Sequence, residues 1–120
     1  MQVQSSIIEE TIEIINYKGE VALSIPFRVN LAQAYDAIVE KRNEYTKALH
    51  GNDLEALGVA TVDFFTAVFG ADATAKLVEF YKDDYTAMLA DMAPYFSEII
   101  YPAMHRQRES MIALKKREKR

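Results

Sequence analysis

The sequence contains no cysteine and no tryptophan, and only three prolines and four glycines in 120 residues. Without thiols the chain can form no disulfide, no thiolate metal site and no cysteine nucleophile. The glycines, at positions 19, 51, 58 and 70, are scattered, so no glycine-rich loop is available to cradle a phosphate. The two histidines, His50 and His105, stand apart, without the His-x-His or HExxH spacing of a metal site. There is no G-x-S-x-G elbow and no serine in a recognisable nucleophile motif. Nothing approaches the roughly 20 apolar residues of a membrane-spanning helix. The first ten residues lack a basic start and carry acids early, unlike a secretory leader, so the cytoplasm is the expected compartment. The carboxylate pairs Asp36/Glu40, Glu40/Glu44 and Asp83/Asp84 fall on faces expected to be solvated, which argues against acid–base work. No residue is therefore assigned a catalytic, cofactor-binding or metal-binding role, and the chain reads as a non-enzyme that needs no cofactor.

What is present points to a globular body. Half the residues are apolar and 27% are charged, which suits one packed domain over 1–120. The charge is divided unevenly along the chain. Residues 1–104 hold 7 Lys/Arg and 16 Asp/Glu, a net of −9, whereas residues 105–120 hold 7 and 2, a net of +5. An acidic body repels phosphate backbones. A basic end can meet nucleic acid, a membrane surface, an acidic protein partner or the C-terminal pole of its own helix macrodipole.

Alternation and helical spacing together predict an α+β chain, mainly α, with an N-terminal β-hairpin and about four helices. Residues 1–10 show little pattern and are expected to be extended or loose. A hairpin is expected over 11–28: Thr11–Asn16 alternates, Tyr17-Lys18-Gly19-Glu20 has turn character, and Val21, Leu23, Ile25 and Phe27 alternate with smaller or polar residues. Pro26 cannot donate a ladder hydrogen bond and belongs at an edge or a strand end. A helical body follows over 31–103. Asn30 is placed to cap the first helix, with Gln33 as capping-box partner, over about 31–49. Asn52 is placed to cap the second, whose inner stripe is Leu54, Leu57, Thr61, Phe65 and Val68, flanked by Phe64 and Phe69. Gly70 ends it, and Asp72 is placed to cap a short third helix. From Asp84 the pattern is helical almost to the end, with Met88, Leu89, Met92, Phe96, Ile99 and Ala103 on one face. Pro94 and Pro102 predict a kink or a break and restart.

Residues 104–120 are expected to form a basic amphipathic helix. Ile100, Met104, Met111 and Leu114, with Gln107 in the gap, give a 4-3-4-3 seam like that of a coiled coil, and Arg106 and Arg108 flank it. Methionines adapt to varied partner shapes. These six residues are the candidate partner-binding set. The seam suits a partner helix, a second copy of the chain or the chain's own first helix. The 7 tyrosines and 6 phenylalanines fall mostly on inner stripes and are not interleaved with basic residues, unlike a single-strand nucleic-acid platform.

The order of elements resembles the tail assembly chaperones of long-tailed bacteriophages and related prophages, small proteins encoded just before the tape measure gene. The likeness is carried by TIEIINYKGEVALSIPF before Arg28-Val-Asn30, by DFFTAVFG at 63–70, by ADATAKLVEFY at 71–81, and by Tyr85-Thr-Ala-Met-Leu89 before a long helix. It implies binding to the tape measure protein, recruitment of tail tube subunits and a bacterial host cytoplasm as location; the absence of a long apolar run argues against a membrane partner, and the acidic body disfavours nucleic acid. The likeness also implies a longer frameshifted form; Leu114-Lys115-Lys116 is compatible with a slippery heptamer, which reading the gene would test. Two other readings fit the residues: a small regulatory protein using its basic C-terminal helix on nucleic acid, and a structural connector subunit of a phage particle.

Overall fold

A computed structural model describes residues 6–118. Strands β1 (Ile7–Ile15) and β2 (Val21–Asn30) pair antiparallel, followed by helices α1 (Leu31–Leu49), α2 (Leu54–Phe69) and α3 (Ala71–Tyr81). The chain then runs into α4 (Tyr85–Tyr95), a five-residue π turn (Phe96–Ile100) and α5 (Tyr101–Glu118), which form one rod of 34 residues. The expected α+β architecture is present.

The hairpin closes on Asn16 as well as on the expected glycine. The Asn16 carboxamide oxygen accepts from Lys18 N at 2.9 Å and Glu20 N at 3.0 Å. Gly19 supplies the positive φ, 81°, that the turn requires. Ile12, Ile25, Phe27 and Val29 are buried on the inner face, and Glu9, Thr11, Ser24 and Arg28 face outward. Pro26 lies opposite Thr11. Glu13 N donates to the Tyr95 hydroxyl at 2.9 Å, so Glu13, and Thr11 two residues earlier, turn their N–H groups away from β2. The missing N–H of Pro26 therefore faces the open edge and costs no ladder bond. A two-stranded sheet is marginal alone. Here it is held by the Tyr95 bond, by Leu31 N donating to Ser6 O at 2.9 Å, and by its apolar face on α2 and α3.

Local signals set most helix ends. Asn30 caps α1 by accepting from Ala32 N, and not from Gln33 as a capping box requires. The cap of α2 is Asp53, which accepts from Ala56 N at 3.1 Å, one residue later than the expected Asn52. Leu54 consequently becomes the first helical residue at the tip of the α1–α2 turn and is 83% exposed, not part of the inner stripe. Gly70, with φ 89°, ends α2 and also begins α3; Asp72 lies in the first turn of α3, where it meets the helix dipole but caps nothing.

The α3–α4 turn is strained. Lys82 and Asp83 both adopt left-handed backbone, with φ 51° and 65°. That conformation costs a non-glycine residue about 1–2 kcal/mol. Lys82→Gly is expected to stabilise the protein by about 0.5–1 kcal/mol after the extra unfolded-state freedom of glycine is deducted. A higher urea midpoint at unchanged slope is the readout.

The two prolines do not break the last rod. Pro102 has no N–H, and in a regular helix its ring would meet the carbonyl of Glu98. The chain widens just before it: Tyr101 N–H reaches back five residues to the Phe96 carbonyl. The widened turn also keeps Phe96 and Ile100 on the buried side in line with Met92. The core lies between the hairpin, α2 and this rod. The Phe96 ring is 5.1 Å from Phe64, 5.3 Å from Phe65 and 5.5 Å from Phe69, and Phe27 of β2 meets Phe69 edge-on at 4.8 Å.

Candidate functional site

The seam predicted on the last helix is divided by the structure. Ile100 is fully buried and Met104 is 4% exposed, and both belong to the core; they are corrected from candidate partner contacts to packing residues. Met111 and Leu114 continue the same face but are 36% and 56% exposed. The cause is where the body ends. Up to Ser110, α5 lies on the start of the hairpin and of α1: Ala103, Arg106, Gln107 and Ser110 line a small cleft with Ser6, Ile8 and Leu31. From residue 111 to residue 118 every position is exposed, an overhang of about 12 Å at 1.5 Å per residue. Arg106 and Arg108 are exposed, as are Lys115, Lys116 and Arg117 around Met111, Ile112 and Leu114.

The base of the overhang is firmly seated. The Arg42 guanidinium of α1 stands 5.7 Å from the Tyr101 ring centroid, and Tyr101 packs 5.7 Å from Phe96. Burial pushes the Tyr101 phenol up, with Arg42 opposing, so it stays neutral. The α3 end of the molecule has a similar tie. Tyr81 donates to the Asp91 carboxylate at 2.7 Å, and burial followed by that carboxylate pushes the Tyr81 phenol well above its ordinary value. A neutral phenol can keep donating; a phenolate would face Asp91 with like charge.

A second surface lies on the outer side of α2. Leu54, Glu55, Gly58, Val59, Val62, Asp63 and Tyr85 line an open groove of about 360 Å³. A further groove of about 400 Å³, between α2 and α3, shares Val62 and is lined by Thr66, Ala71, Thr74, Ala75, Val78, Glu79, Lys82 and Asp83. The floor is apolar and Val59 is 59% exposed. Four carboxylates and one lysine stand on the lining. Among the described residues none of those carboxylates is in a close ion pair; the two ion pairs are Arg28–Glu9 and Lys41–Glu44. Gly58 shapes the groove. A Cβ there would lie 2.9 Å from Tyr85 Cε2, so glycine is what lets the Tyr85 ring approach α2 this closely.

This groove was not among the residues chosen from the sequence. The signal for it was the composition of α2, LEALGVATVDFFTAVF, which places Val59 and Val62 off the inner stripe. A helix apolar on more than one side has more surface than one core contact covers. Among the described residues no three His, Asp or Glu side chains come together as a metal site, and no helix is long and apolar enough to cross a membrane. His50 and His105 are both exposed. Comparison with protein-family models, with curated proteins and with solved structures returns no match.

Proposed function

We propose that the protein is a tail assembly chaperone of the long-tailed phage type, which covers the apolar stripes of a tape measure protein and helps recruit tail tube subunits. The observation that carries the reading is the overhang: a core-facing stripe runs off the end of the body, leaving Met111 and Leu114 uncovered within a basic rim. A helical partner bearing apolar stripes aggregates alone, and an exposed methionine-containing stripe can receive many such partners by helix-on-helix contact. The acidic body then supplies solubility to the complex. Individually weak contacts become effective when several copies line one long partner.

Co-expression with the tape measure protein that this reading expects in the neighbouring gene tests it. The chain is expected to keep the tape measure protein in the soluble fraction, and Met111→Asp plus Leu114→Asp to reduce that fraction at least fivefold. Both positions are exposed, so the substitution leaves the fold intact, unlike one at buried Met104. A tape measure protein that stays insoluble beside the wild-type chain overturns the function; equal solubilisation by the variant overturns the role of the stripe. A filter-binding titration on nucleic acid checks the competing use of Arg106, Arg108, Lys115, Lys116 and Arg117, and a shallow or absent salt slope is expected.

A further inference from the structure

We infer that the groove on the outer side of α2 and α3 binds a cationic amphipathic helix of another protein, with an arginine or lysine of that helix laid over the Tyr85 ring between Glu55 and Asp63. Three features make the cation subsite. Glu55, Val59 and Asp63 follow one another at four-residue spacing along α2, so an apolar side chain stands between two carboxylates about 12 Å apart along the helix. Tyr85, the first residue of α4, comes up against α2 beside that row, at Gly58, where a Cβ would lie 2.9 Å from the ring. Neither carboxylate is engaged in a close ion pair among the described residues. Lys41 of α1 pairs with Glu44 and feels Asp63 only through space. A cation entering there meets two carboxylates and the negative face of an aromatic ring, while Val59 covers its hydrocarbon stem.

The rest of the groove sets the sign and the form of the occupant. Glu79 and Asp83 stand further along the lining and Lys82 is its one cation, so a polyanion or an acidic helix is repelled. Beyond Val62 the lining continues over Thr66, Ala71 and Ala75 to Val78, small and apolar side chains between two helices. An extended peptide laid on such a floor would leave backbone N–H and C=O groups unpaired, whereas a helix arrives with its own already satisfied. From Leu54 to Thr66 the groove follows α2 for about 18 Å, which matches about twelve residues of an incoming helix.

This site is distinct from the C-terminal overhang and does not rest on the tail-assembly reading. Helix α1, on which the base of α5 is seated through Arg42 and Tyr101, packs on the far side of α2, where Tyr45 stacks on Phe64 at 5.6 Å. At 100° per residue Phe64 points away from Val59, Val62 and Thr66. The overhang is itself basic and repels a cationic probe.

The test uses the full chain and a fluorescent synthetic helix of about 18 residues, with leucine and alanine on one face and arginine on the other. Such a contact is smaller than a standard stable interface, so fluorescence anisotropy at about 50 mM NaCl is expected to give a Kd of about 10–100 μM. At about 0.5 M NaCl binding is expected to weaken at least tenfold. The same peptide with glutamate in place of arginine is expected not to bind. Glu55→Lys plus Asp63→Lys should weaken binding of the arginine peptide at least tenfold. Glu10→Lys plus Glu20→Lys, an equal change of charge on the hairpin, should leave it within twofold. All four positions are exposed, and unchanged circular dichroism checks that folding is retained. Gly58→Ala keeps every charge and displaces the Tyr85 ring, and should weaken binding at least threefold; if that variant fails to fold, the two charge variants decide alone. An arginine peptide that does not bind, a glutamate peptide that binds equally, equal losses from the two charge variants, or a folded Gly58→Ala chain that binds like the wild type overturns the proposal. No tape measure protein is present in the experiment, so its failure leaves the tail-assembly reading standing, and failure of tape measure solubilisation leaves the groove standing.

Discussion

Phe65→Ala is expected to lower the unfolding free energy by about 3–5 kcal/mol and the melting temperature by roughly 10–20 °C. Phe65 is fully buried, and its ring lies 5.6 Å from Phe69, 5.3 Å from Phe96 and 6.2 Å from Phe64. Its neighbours are held by α2 itself and by the π turn of the long rod. A vacated site there cannot collapse without moving Phe96, whose position is fixed by the widened backbone ahead of Pro102. The cavity term therefore adds to the lost transfer free energy instead of relaxing away. Phe80→Ala is the matched control. Phe80 is 39% exposed and meets Tyr81 edge-on at 5.1 Å, and its loss should cost below about 1.5 kcal/mol. Thermal and urea unfolding of both variants decides the matter; equal losses would place the centre of the core elsewhere.

The second large effect is expected at the hairpin. Ile12→Asp puts a carboxyl at a fully buried position opposite Ile25. An unpaired charge in such a site costs several kcal/mol, here about 3–5. The group would sooner stay protonated, so its folded pKa lies above the unfolded value of about 4. An acid with a raised folded pKa loses stability as pH rises from the unfolded to the folded value. Ile12→Asp should therefore unfold more readily at pH 7 than at pH 4.5, against a wild-type difference measured in parallel. The loss should remove the strands first, because a lone hairpin is marginal once its apolar face leaves α2 and α3. Chemical denaturation at the two pH values, followed by the β signal and by the helical signal separately, is the measurement. A variant equally stable at both pH values would mean that position 12 reaches water.

Several elements were legible because their signals are local. Strict alternation from Val21 to Phe27 needs only the period of two, and Asn30 and Gly70 bound helices through side-chain and backbone chemistry of their own. The boundaries of α1, 31 to 49, were read from spacing and the His50-Gly51 stop, and the helix occupies Leu31–Leu49. The misread caps, Asn52 for Asp53 and Asp72 for Gly70, arose where two capping residues stand side by side or a glycine serves two helices. The π turn was out of reach because its cause is joint. Pro102 demands a disruption, but only the need to keep Phe96 and Ile100 facing the hydrophobic core decides that the helix widens rather than kinks or stops.

The candidate surfaces divide in the same way. The sequence by itself determined that Ile100, Met104, Met111 and Leu114 share one helical face, that bases crowd the last turns, and that the rest of the chain is acidic, because periodicity and charge are properties of neighbours along the chain. Only the tertiary structure decided which half of that face is covered. Ile100 and Met104 lie over the core, whereas Met111 and Leu114 lie past the point where the body stops, and no local rule encodes where the other helices end. The groove of Leu54, Val59, Val62 and Tyr85 has the same origin: its residues come from separate helices, and the packing of α2, α3 and α4 brings them to one surface.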